Sequence, residues 1–110
     1  MDPGQQNALN QALDGLWARF LPLIEERVGV LESAATAFAA NRLAIDGRQA
    51  AAAAAHKLAG VLGTFNLAEG TSLARELENL YSYESAPDTA LGARVAAITS
   101  ELRVIVENRK

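Results

Sequence analysis

Apolar residues recur along this chain at three- and four-residue intervals, broken by short polar or proline-bearing stretches. Leu9, Leu13, Leu16, Trp17 and Phe20 form a first helical series, which Pro22 interrupts. Proline suits a first helical turn, where its missing N–H has no partner to lose, so the spacing predicts a second helix from that point. Its stripe is Ile24, Val28, Leu31, Ala35 and Phe38, and it fades at Asn41. Asp46 with Gln49 matches a capping box and predicts a third helix to about Gly63. Asn66 with Glu69 repeats the arrangement and opens a fourth, ending near Tyr83. Ser85, Pro87 and Asp88 mark a last start, followed by Leu91, Val95, Ile98, Leu102 and Ile105. No alternating β-branched run competes, and the short connections imply antiparallel neighbours. The expected fold is all-α: an antiparallel up-and-down four-helix bundle with a short extra N-terminal helix. Residues 1–7 are expected to be disordered, with one domain over 8–110.

Composition narrows the chemistry. The chain has 110 residues, enough for one core, and half of them are hydrophobic. Cysteine is absent and histidine occurs once, which excludes disulfide scaffolds, thiolate metal sites and Cys/His catalytic pairs. A net charge of -3 with scattered basic residues argues against a nucleic-acid surface. No apolar run is long enough to span a membrane, and the N-terminus lacks a secretory pattern, so a cytoplasmic protein is expected. Neither a P-loop nor a glycine-rich kinase loop is present.

The chemistry concentrates on the third predicted helix. At about 100° per residue, Ala51, Ala54, Ala55, Leu58, Leu62 and Phe65 share a buried face. His56 lies about 160° from Leu58, on the opposite side. Its neighbours on that side, Ala52, Ala53, Gly60 and Gly63, are all alanine or glycine. Each helical glycine costs up to about 1 kcal/mol relative to alanine, which calls for a reason. One reason is access for a macromolecule to the imidazole; the other is close approach of a neighbouring helix. A lone surface histidine is most often simply solvated. As chemistry, neutral imidazole is a nucleophile at pH 7, and a carboxylate holding the Nδ1 proton leaves Nε2 free to attack.

From His56 onward the sequence resembles the histidine-containing phosphotransfer domains of bacterial two-component phosphorelays, especially those within multidomain response regulators. That family carries approximately His-x-Leu-Lys-Gly, then a glycine and an apolar residue, then Leu-x-x-x-Leu-Glu. This chain reads His56-Lys57-Leu58-Ala59-Gly60, then Gly63, Phe65, Leu73, Ala74, Leu77 and Glu78. Three positions depart from the pattern: Ala59 replaces a lysine, Asn66 a glycine and Gly70 a leucine.

The resemblance implies that His56 accepts a phosphoryl group from a receiver-domain aspartate, or a kinase, and passes it to another receiver. Glu78 would orient the ring through Nδ1. Arg75 and Lys57 are the candidates to neutralise the phosphate in place of the missing lysine. Gln49, Ala52, Ala53, Ala59, Gly60 and Gly63 would form the docking surface. The implied partners are response-regulator receiver domains, with a hybrid sensor kinase as a further candidate, and neither nucleic acid nor membrane. The chain would be a monomeric phosphoryl carrier rather than an enzyme, without a metal or cofactor of its own, the receiver supplying Mg²⁺. The rival readings are a non-catalytic helical adaptor and a sensor-kinase dimerisation and phosphoacceptor domain.

Overall fold

In a computed structural model, residues 2–82 and 88–109 are described. They form four helices: α1 (Pro3–Ala39), α2 (Ile45–Thr64), α3 (Ala68–Ser82) and α4 (Thr89–Arg109). Each helix touches two others: α1 packs on α2 and α4, and α3 packs on the same two. Contacts along each pair fall on one helix as they rise on the other, as with Asp14–Arg109 and Glu32–Arg103 between α1 and α4.

The separate N-terminal helix is not found; α1 runs unbroken through Pro22. An internal proline forfeits one hydrogen bond and crowds the carbonyl four residues back, at about 3 kcal/mol. Here Pro22 and Ala18 are both exposed, so the freed carbonyl lies on the solvent side. The core stripe also keeps phase across it: Trp17, Ile24, Val28, Leu31, Ala35 and Phe38 are all buried. Packing on both flanks holds together what local preference would divide. Helix α1 begins at Pro3 behind an Asp2–Gln5 capping box, so residues 3–7 are its first turns.

The other boundaries follow local chemistry. Helix α2 starts one residue before the expected cap, with Ala44 at the N-cap and no side-chain hydrogen bond. Its C-terminus closes in a Schellman arrangement: Asn66 N–H donates to the Gly63 carbonyl and Leu67 N–H to that of Leu62. Asn66 takes φ 60°, the left-handed conformation that asparagine tolerates best after glycine. It therefore ends α2 rather than capping α3. Asp88 caps α4 by accepting from Leu91 N–H at 2.7 Å, as expected; Tyr83, Ser85 and Pro87 lie outside the described residues.

The core is alanine-rich in the first half of α2, at Ala51, Ala54 and Ala55, and its larger side chains Ile24, Leu31, Leu58, Leu62, Leu77, Ile98 and Leu102 are almost wholly enclosed. In α4 the final core position is Val106, with Ile105 only half-buried. Each end of the bundle carries an edge-to-face aromatic pair covered by an arginine. Trp17 and Phe65 sit under Arg109, and Phe38, paired with Tyr81, sits under Arg48.

Candidate functional site

The face of α2 opposite its core residues is decided by what α2 buries. Ala51, Ala54, Ala55, Leu58 and Leu62 turn inward, as the helical spacing predicts. His56 is thereby driven outward, and its side chain is 72% exposed.

Two polar contacts hold α3 in register against α2. Arg48 donates to the Tyr81 and Leu80 carbonyls in the last turn of α3, where carbonyls lack helical partners. At the other end the Thr71 hydroxyl donates to the Ala59 carbonyl at 3.2 Å. Between these clamps Glu78 comes level with His56, and its Oε2 lies 2.9 Å from Nδ1. An ionised carboxylate only accepts, so Nδ1 carries a hydrogen, and in the neutral imidazole Nε2 then keeps its lone pair. The Glu78 side chain is 31% exposed, leaving it partly enclosed against α2. The imidazole is thus held by one nitrogen and open at the other.

The surroundings of the ring are sparse. Gln49, Ala53, Gly60 and Gly63 are exposed and Ala52 is half-buried. A Cβ added to Gly60 would meet nothing within 4 Å, and one on Gly63 would make only an ordinary contact with the Thr71 hydroxyl. Neither glycine is required by packing inside the chain, which removes the close-approach explanation.

One residue must be corrected. Ala59 is only 4% exposed and faces α3, so it drops out of the surface. It sits about 60° round the helix from His56, toward the neighbouring helix, so the inter-helix contact covers it.

The pairs His56–Glu78 and Gly63–Thr71 set the α2–α3 register. Extended, it places Arg75 across from Ala59. Arg75 is exposed, three residues from Glu78 on the same side of α3. Lys57, also exposed, leaves α2 about 100° from His56 on the side away from α3. Neither has an ion-pair partner among the described residues.

Sequence reasoning missed Ile45. It is 70% exposed, the most exposed large apolar residue described, and eleven positions before His56 puts it within about 20° of the same line. The helical wheel would have found it had the helix start been placed at Ile45 instead of Asp46. Among the described residues no group of three or more His, Asp or Glu could hold a metal, and no helix is long and apolar enough to cross a membrane.

A family model described as Hpt domain matches residues 15–108. No curated protein and no solved structure matches the chain.

Proposed function

The chain belongs to the Hpt domain family, and from that premise we propose that His56 is its phosphoacceptor. Such domains are phosphoryl carriers of two-component phosphorelays that interact with receiver domains and kinases. The observation that carries the assignment is the hydrogen bond between Nδ1 and Glu78 beneath an exposed ring.

In the proposed reaction a phosphorylated receiver docks over Gln49, Ala52, Ala53, Gly60 and Gly63, with Ile45 as an apolar contact at the edge. His56 Nε2 attacks the phosphorus of the aspartyl phosphate in line. The N–P bond forms as the P–O bond to the aspartate breaks, and the carboxylate leaves with the electron pair. Nδ1 keeps its hydrogen and donates it in the bond to Glu78, whose carboxylate stabilises the positive charge that develops on the ring. The phosphoryl group moves on to a second receiver by the reverse step. Catalysis of this kind rests on positioning and charge neutralisation, so a carrier can be this simple. The receiver would bring Mg²⁺, and the carrier contributes no metal of its own.

Arg75 is the better candidate for the charge that a lysine supplies elsewhere in the family. It emerges from α3 opposite Ala59, on the Glu78 side of the ring, whereas Lys57 leaves on the other side. The exchange takes place in the cytoplasm, where receivers and kinase domains meet.

The test is incubation with phosphorylated receivers. Wild-type chain should acquire an acid-labile, base-stable label, His56→Gln none, and Glu78→Ala the same label more slowly. Label retained in His56→Gln would remove His56 as the acceptor. No label on the wild type from any receiver of its source would favour the adaptor.

A further inference from the structure

The phosphotransfer site leaves unused the first apolar series noted in the sequence. Of Leu9, Leu13, Leu16, Trp17 and Phe20, only Trp17 is buried. Leu9, Phe20, Leu23 and Val30 are 37–42% exposed, while Leu13 and Leu16 are partly covered. Their spacing alternates four and three residues: 9, 13, 16, 20, 23, 27 and 30, with Arg27 in the one polar place. That is the seam of a coiled coil, running beside the core stripe on the same helix. Residues 2–12 are exposed throughout, so α1 carries the seam beyond the rest of the bundle.

The seam continues past Val30 in small residues. Ala34 and Ala37 line an apolar groove of about 630 Å³ with Gly29, Val30, Leu43 and Gly47. Large side chains therefore occupy the N-terminal half of the stripe and a hollow occupies the C-terminal half. Two copies laid antiparallel put one against the other.

In place of the monomer that the family resemblance implies, we propose that the chain forms a symmetric dimer through α1, antiparallel, with Phe20 of one copy packed against Leu23 of the other. In that register Leu13 meets the partner's Val30, and Leu9 enters the partner's groove at Ala34. Arg19 and Glu26 then fall opposite each other on the solvent flank, twice by symmetry. Both are exposed, and neither has an ion-pair partner within the chain among the described residues. A parallel pairing would set Arg27 against its twin and leave both hollows empty; the antiparallel one lays its stem along the partner's Leu16. The groove edge on α2 lies about 120–180° round from His56, so the dimer leaves the histidine face open.

Sedimentation and a spin label on Gln6→Cys test this, since the chain has no other cysteine. The expected result is a dimer with Gln6 positions separated by about 46 Å, set by 31 residues of helical rise. Phe20→Glu and Leu23→Glu, at positions exposed in the single copy, should give monomers with unchanged helical signal and unchanged phosphotransfer. Arg19→Glu should weaken the dimer a few-fold, and adding Glu26→Arg should restore it. A monomer at all concentrations up to about 1 mM, a label separation near 10 Å, or a dimer unaffected by Phe20→Glu would each overturn the proposal.

Discussion

Gly60 separates access from packing more cleanly than any other position. It lies inside α2, one turn after His56, where glycine destabilises a helix by about 0.5–1 kcal/mol relative to alanine. An added Cβ has open space around it. Gly60→Ala should therefore stabilise the fold by nearly that full amount, raising Tm by roughly 3–6 °C for a domain of this size. Gly60→Leu should stabilise to a similar degree, since leucine is also a strong helix former and nothing within the chain obstructs it. Transfer should behave differently. Leucine stands about 4 Å above the flat surface beside the ring and prevents close approach of a receiver, so the transfer rate should fall about tenfold or more, equivalent to at least ~1.4 kcal/mol. Alanine should leave the rate within about threefold. Thermal unfolding by circular dichroism and initial rates from a phosphorylated receiver read the two quantities independently. A lower Tm in either variant would mean that Gly60 serves packing. Wild-type transfer by Gly60→Leu would refute the argument that the bare face exists for docking.

Other substitutions test the scaffold. Gly70→Ala should destabilise by about 1 kcal/mol or more, measured by denaturant unfolding, despite its helix preference. Its Cβ would come 2.8 Å from Leu62 Cδ1 and 3.4 Å from Ile105 Cγ2, so Leu62, which is fully buried, would have to shift. Asn66→Ala should lower stability by roughly 1 kcal/mol, while Asn66→Gly should match or exceed wild type, because the position requires positive φ. The hydrogen bond from Arg103 holds the Glu32 carboxyl below the ordinary carboxylate range. A depressed folded-state pKa contributes stability above the unfolded value and loses it as pH falls through the folded one. Glu32→Gln should thus flatten the acid limb of the stability–pH curve below about pH 4.5, and an unchanged limb would discount the ion pair.

How far the site was legible depended on the range of the interaction that made it. The inward turn of Leu58 and Leu62 and the outward turn of His56 follow from helical periodicity, a local property. The partnership with Glu78 spans two helices, and reading it required a family pattern, because spacing on one helix says nothing about register with another. Ala59 shows the same limit: the wheel places it near the histidine face, but the approach of α3 buries it.

From the amino-acid order alone came the all-helical class, the inward faces of α2 and α4, the cap at Asp88 and the exposed histidine, since each rests on contacts within a few residues. Tertiary structure decided that α1 continues through Pro22, that Ala59 is covered, and that Glu78 reaches His56. Each of those outcomes depends on packing against a distant segment, and only the assembled bundle brings that segment into place.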